Sequence, residues 1–330
     1  MKILFAIQGT GNGHISRARE IIPLLQQYGQ VDLLISGTQA DVLPDDQLKY
    51  KLHGFSFVFG RKGGVNHWKT MKDMNLIQLW KDIKNFPLKQ YDLIVNDFEP
   101  VTAWACKLQG RPSVSLSHQA SFLSKNTPRA SANFGWEELV LKYYAPTTHH
   151  IGFHFDRYDD FIHTPVIRSQ IRSLETKDLG HVTVYLPAYD DRLMLSYFKQ
   201  IKDVQWEVFT KHSKTAYREG NVNVMPVNNE KFNASLATSS GLLTGGGFEG
   251  PAEALFLNKK VIVFPMKFQY EQLCNAEAAH RLGVPVIHKL DKEFVGQLQS
   301  WIDKANPIEV NFPNETAAIV DYMIKTYAKN

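Results

Sequence analysis

The most restrictive feature of this chain is an alternation of short apolar runs with longer amphipathic ones, and it occurs twice. In the first half KILFAI (2–7), VDLLIS (31–36), SFVFG (56–60), DLIVN (92–96) and SVSLS (113–117) read as buried strands, with HIGFHF (150–155) as the last. Helical patterns lie between most of them, such as 15–28 with Ile15, Ala18, Ile21, Ile22 and Leu25 on one face. Strands alternating with helices imply a parallel sheet joined by crossover helices. The pattern restarts with HVTVYLP (181–187), QWEVFT (205–210), VNVMPV (222–227), GLLTG (241–245) and KVIVFP (260–265), with helices expected near 191–202, 229–239, 250–258 and 270–282. The chain therefore reads as α/β, two Rossmann-like doubly wound domains facing a cleft. The join falls in the polar stretch HTPVIRSQIRSLETKD (163–178). This divides the chain into a domain over 1–164, a linker over 165–178, a second domain over 179–313 and a closing segment, 314–330, whose helix packs back on the first domain.

Its 330 residues suffice for two such domains, and 44% hydrophobic with 21% charged residues is the composition of a soluble globular protein. A net charge of +4 suits an anionic ligand or membrane surface and is too weak to argue for nucleic acid. Cys106 and Cys274 are the only cysteines, which indicates neither a disulfide scaffold nor a zinc site. The N-terminal apolar run is too short for a signal peptide, and no stretch reaches the roughly 20 apolar residues of a membrane span. A cytoplasmic location is expected, with the inner face of the membrane as a variant.

Open parallel sheets bind ligands at the carboxyl ends of their strands, so the loops after those strands matter most. The first, QGTGNGHISRA (8–18), looks like a dinucleotide loop, but the sixth position of that fingerprint must be glycine and is His14. The second strand also ends on Ser36 instead of an acid. What remains is an imidazole presented by a glycine turn, either a general base or a plain helix cap. Asp97 ends the fourth apolar strand on the same edge, where it either supports the imidazole or caps helix 100–109. Glu99 reads as a first-turn helix acid.

The second candidate is LLTGGGFEGPAEALFLNKKVIVFP (242–265). Glycines without Cβ atoms, followed by Pro251 in a first helical turn, place backbone amides of roughly Gly246 to Gly250 at the positive end of a helix, a natural anion site. Glu253 is suited to accept two ribose hydroxyls. In PMKFQYEQLCNAEAAHRLGVPV (265–286), Glu271 and Gln272 either read sugar hydroxyls or are plain first-turn residues, while Asn275 and Ala276 settle helix packing.

Together these motifs resemble the GT-B nucleotide-sugar glycosyltransferases, especially the branch with UDP-glycosyltransferases and the peptidoglycan lipid-linked N-acetylglucosaminyltransferase. The match extends over essentially the whole chain and is most specific across 241–285, with EAL (253–255) six residues after Gly247 and EQLCNA (271–276) as its tail. GTGNGHISRA resembles the acceptor-side glycine loop, VNDFE the strand end bearing the Asp partner, and TPVIR (164–168) the interdomain linker. The resemblance implies an inverting transfer from a UDP-sugar to an acceptor hydroxyl without metal or other cofactor. His14 and Asp97 would be catalytic. Gly245, Gly246, Gly247, Phe248, Glu249, Gly250, Glu253, Glu271 and Gln272 would bind the donor, and Gly11, Asn12 and Gly13 would face the acceptor. His118, after a strand in SLSHQAS, reads separately as either an acceptor contact or a satisfied surface histidine. That acceptor would be a small molecule or a lipid-linked cell-envelope glycan.

There are departures from the pattern. Gly245 and Gly250 stand where the family often has His or Arg and Ser or Thr, Asn258 replaces a small-residue turn, and LPAYDD (186–191) lacks the customary Gly-Ser. They keep open a non-catalytic sugar-nucleotide binder, and a nucleotide-sugar 2-epimerase is the other alternative. Asp45-Asp46, Asp159-Asp160 and Asp190-Asp191 read as solvated turns, and His149, His150, His154 and His163 lack ligand spacing. The stretch 66–86 reads as a basic amphipathic helix, packing on the core or touching a membrane peripherally, and GRKGG (60–64) as a flexible basic loop.

Overall fold

The computed structural model describes residues 1–9, 11–37, 48–52, 76–130 and 135–328. The strand expected at 56–60, the loop 60–64, Asp45-Asp46 and the first part of the helix expected over 66–86 lie outside the described residues.

The first sheet contains β1 (Lys2–Gln8), β2 (Gln30–Ser36), β3 (Leu48–Leu52), β4 (Leu93–Asp97), β5 (Val114–Ser117), β6 (His149–Phe153) and β7 (Ile162–His163). Their spatial order is β3-β2-β1-β4-β5-β6-β7, with every neighbouring pair parallel. Helices α1 (Asn12–Gln26), α2 (Leu76–Asn85), α3 (Pro100–Gln109) and α4 (Gly135–Tyr143) belong to the same half of the chain. HIGFHF is therefore not the last strand of its sheet, since β7 pairs beyond it.

A one-turn helix α5 (Ser169–Arg172) lies between the two sheets. The second sheet contains β8 (His181–Tyr185), β9 (Gln205–Thr210), β10 (Tyr217–Glu219), β11 (Val222–Pro226), β12 (Gly241–Thr244) and β13 (Lys260–Val263). They are ordered β10-β11-β9-β8-β12-β13, parallel except for the β10–β11 pair. Its helices are α6 (Asp191–Phe198), α7 (Asn229–Thr238), α8 (Glu249–Phe256), α9 (Tyr270–Arg281) and α10 (Phe294–Lys304). Asp190 caps α6 by accepting from the Leu193 amide, a structural role for one of the acidic pairs.

The strand orders locate the clefts. In each sheet the chain builds outward from a central strand in one direction and then returns to build in the other. The reversals fall between β1 and β4 and between β8 and β12, where loops diverge and leave a crevice. The carboxyl ends of β1, β4 and β12 matter most: His14 lies in the helix after the first, Asp97 closes the second and the glycine triplet follows the third.

One apolar cluster joins the halves. It runs from Ile3, Phe5 and Ile7 through Val166, Ile167 and Ile171 to Leu242, Val261 and Val263. The last helix, α11 (Thr316–Tyr327), contributes Ile319, Val320, Met323 and Ile324 to this cluster. It also returns to the first half, where Tyr28 donates to Asp321 at 2.9 Å and Tyr327 stacks on His149. Helix α2 buries Leu79 and Ile83 and exposes Leu76, Ile77 and Trp80, so one face packs inward and the other remains apolar.

Candidate active site

Helix α1 begins at Asn12, earlier than its apolar stripe suggests, because Gly11 takes φ of 105° at the N-cap. His14 therefore sits inside the first turn, 8% exposed, and does not cap the helix from outside. Asp97 occupies the end of β4, directly beside Ile7 of β1, and is fully buried. His14 Nδ1 lies 2.8 Å from Asp97 Oδ1. Asp97 does not cap α3. Glu99 does, accepting from the Val101 and Thr102 amides at 2.8 and 2.7 Å. Between the two acids Phe98 is held at φ of 56°, with its ring against Tyr144. A left-handed turn at a bulky residue is uncommon, and this one sends the two carboxylates to different tasks.

Arg17, one turn along α1, was not singled out from the sequence. Its Nη2 donates to both Asp97 oxygens, at 2.6 and 2.8 Å. Burial alone would raise the Asp97 carboxyl, but the Arg17 and His14 charges bring it below the usual carboxylate range. The i, i+3 spacing of His14 and Arg17 on one helical face was the available signal.

The glycine turn meets this group from the opposite half. Glu249 Oε1 accepts from Arg17 Nη1 at 2.5 Å. Its carboxylate packs so closely on Gly13 that a Cβ there would lie 2.3 Å from Glu249 Oε2. Asn12 hydrogen-bonds Tyr185 from the same turn. The Gly245 amide donates to the Tyr185 carbonyl at 3.3 Å, and the Gly246 amide to Gln272 Oε1 at 3.2 Å. Gln272 Oε1 also accepts from the Met266 amide at 3.0 Å, so it braces two loops with the oxygen expected to read a sugar. Gly246 has no room for a side chain, because a Cβ would lie 2.6 Å from the Gln272 carbonyl. The amides expected to face an anion thus narrow to Gly247–Gly250, where the first turn of α8 leaves N–H groups without intrahelical partners. Asn258 takes the left-handed conformation a small-residue turn requires, at φ of 55°.

The other candidates are engaged across the same gap. Both Glu253 oxygens accept from Arg168 of the linker, at 2.5 and 2.7 Å, and Arg168 also bonds Asn229 and Asn233. Burial pushes the Glu253 carboxyl up, and the Arg168 fork pulls it back. His118 is buried, so it is not a surface histidine. It stacks on Phe248 at 3.9 Å, its Nδ1 is 2.8 Å from the Phe153 carbonyl, and its Nε2 is 2.8 Å from Asn275 Oδ1. Burial pushes its imidazole down. Gln119 Nε2 donates to Glu271 at 2.9 Å and lies 3.4 Å from His14 Nε2. Among the described residues no group of three or more His, Cys, Asp or Glu side chains converges as a metal site, and no helix is long and apolar enough to cross a membrane.

Solved structures of other proteins share this fold. MurG of Acinetobacter baumannii superposes with a TM-score of 0.60 at 13% identity, covering 98% of this chain and 99% of that one. The glycosyltransferase SnogD from Streptomyces nogalater gives 0.56 at 14% identity, covering 99% and 96%. UGT2 of Phytolacca americana, complexed with UDP-2fluoro-glucose and pterostilbene, gives 0.59 at 11% identity, covering 98% and 92%. At these identities the likeness shows the GT-B fold. No curated protein matches the sequence. The family model described as glycosyl transferase family 1 matches residues 1–302, and the chain belongs to that family of sugar-transferring enzymes.

Proposed function

We propose that the chain is an inverting, metal-independent glycosyltransferase moving a sugar from a UDP-sugar to an acceptor hydroxyl of a small molecule or lipid-linked glycan. The observation that carries this reading is the 2.8 Å His14–Asp97 contact at one strand reversal, set against the glycine turn at the other. Because Asp97 can only accept, Nδ1 carries the proton and Nε2 offers the lone pair. Nε2 takes the acceptor's proton while its oxygen attacks the anomeric carbon from the side opposite the diphosphate. The anomeric C–O bond to the diphosphate breaks, its electron pair leaves on the diphosphate, and one displacement inverts the centre. Amides of Gly247–Gly250 and the positive end of α8 receive the new charge, a role worth a few kcal/mol per donor. Asp97 stabilises the imidazolium. Each Glu253 oxygen keeps a second lone pair for a ribose hydroxyl, and Glu271 faces the sugar, with Gln272 bracing the turn and offering its Nε2. The UDP-2fluoro-glucose in the Phytolacca americana structure supports a uridine-linked donor.

A panel of UDP, UDP-sugars and other nucleoside diphosphates, measured by thermal shift with a chelator present, tests this reading. A uridine ligand at 100 times its Kd should stabilise the fold by about 2.7 kcal/mol. Stabilisation that needs a divalent cation, or that appears only with other bases, would overturn it.

A further inference from the structure

Arg17 has no part in the transfer just described, yet its side chain is only 2% exposed and its ion-pair partners Asp97 and Glu249 come from opposite halves. Burial disfavours its charge, and Asp97 and Glu249 more than offset that. Nη2 holds Asp97 twice and lies 3.2 Å from His14 Nδ1, while Nη1 holds Glu249 of the opposite half. Nδ1 already donates to Asp97 and Arg17 has no acceptor, so that 3.2 Å approach is electrostatic and not a hydrogen bond.

We propose that Arg17 is a positioning residue through which the donor-side glycine turn acts on His14. Asp97 unopposed would place its full charge on the imidazole. Arg17 shares that carboxylate through two hydrogen bonds, so the imidazole meets only part of that charge. Glu249 binds Arg17 from the opposite half, so it competes for the guanidinium and returns part of the Asp97 field to the imidazole. The donor-side turn is thereby coupled to the imidazole. Among the described residues the charged groups around the His14 ring are Asp97 from β4, Arg17 from α1, Glu249 from α8 and, behind Gln119, Glu271 of α9, which lies 4.0 Å from His118.

This rests on His14 being the base, but its test needs no donor or turnover. The pH titration of the His14 ring is followed by NMR in the free protein. Arg17→Gln should raise the midpoint by about one pH unit and Glu249→Gln should lower it. A purely structural arginine would leave both midpoints in place. Should Arg17→Gln fail to fold, Glu249→Gln decides alone, because its carboxylate is 24% exposed and at the cleft surface. Unmoved midpoints, or both moving in one direction, would overturn the proposal. Unmoved midpoints together with an inactive His14→Ala would remove Arg17 and keep the base.

Discussion

Replacing His14 by alanine is expected to slow sugar transfer by about 10²- to 10⁴-fold while uridine diphosphate binds as before. The nucleotide would sit on the amides of Gly247–Gly250 and on Glu253, none of which touches the imidazole. The fold should survive, because Asp97 keeps both of its Arg17 hydrogen bonds when the ring is gone. The loss should therefore appear in kcat with little change in the donor KM, the signature of an interaction made in the transition state. Normal turnover by His14→Ala would mean that another group takes the proton. The same variant separates the enzyme from a non-catalytic binder on this fold, which would lose nothing measurable.

The largest effect on stability is expected at Arg168. Its side chain and that of Glu253 are 11% and 5% exposed, and the pair is bidentate. Arg168→Met leaves the carboxylate buried without its partner, which should destabilise the protein by about 3–5 kcal/mol. The loss should depend on pH. Burial raises the folded-state pKa of Glu253, and in the variant nothing from Arg168 opposes that rise. Between the unfolded value of about 4.3 and the raised folded value, the folded protein binds more protons than the unfolded one. Stability of the variant should thus fall as pH rises through that window and recover on acidification. Adding Glu253→Leu should restore most of the loss, since an apolar pair of similar volume removes the buried charge. Chemical denaturation of the single and double variants at several pH values reads all of this. A single variant as stable as the parent at neutral pH would show that Glu253 is protonated or solvated there.

Much of the architecture was legible because buried parallel strands are apolar runs and the helices between them have one apolar face. Where those signals fade, elements went unseen. LKYKL of β3 alternates half-buried and exposed residues, β7 is two residues long, and the edge strand β10 is three. Helix α10 buries Phe294, Leu298 and Trp301 at i, i+4 and i+7, and the prolines of NPIEVNFPNE mark only where such a helix must end.

The candidate site divides along similar lines. Glycine turns and strand ends are local, so His14, Asp97 and the 245–250 turn could be marked from the sequence. Which carboxylate each arginine would meet is a property of the assembled chain. Arg17 meets Asp97 and Glu249 from 80 and 232 residues away, and Arg168 meets Glu253 from 85. Asn275, read as a packing residue, instead ties His118 to the Gly246 carbonyl across the gap. Glu99 and Asp97 exchanged their ordinary jobs because the left-handed Phe98 turns the chain between them.

The most direct test is a crystal soaked in uridine diphosphate. A pyrophosphate gripped by the unobstructed main chain of residues 247–250, with the ribose against Glu253 and the His14 ring facing the gap, is the expected density. Nucleotide bound away from that turn, or an imidazole directed out of the gap, would contradict a donor site opposite a histidine base.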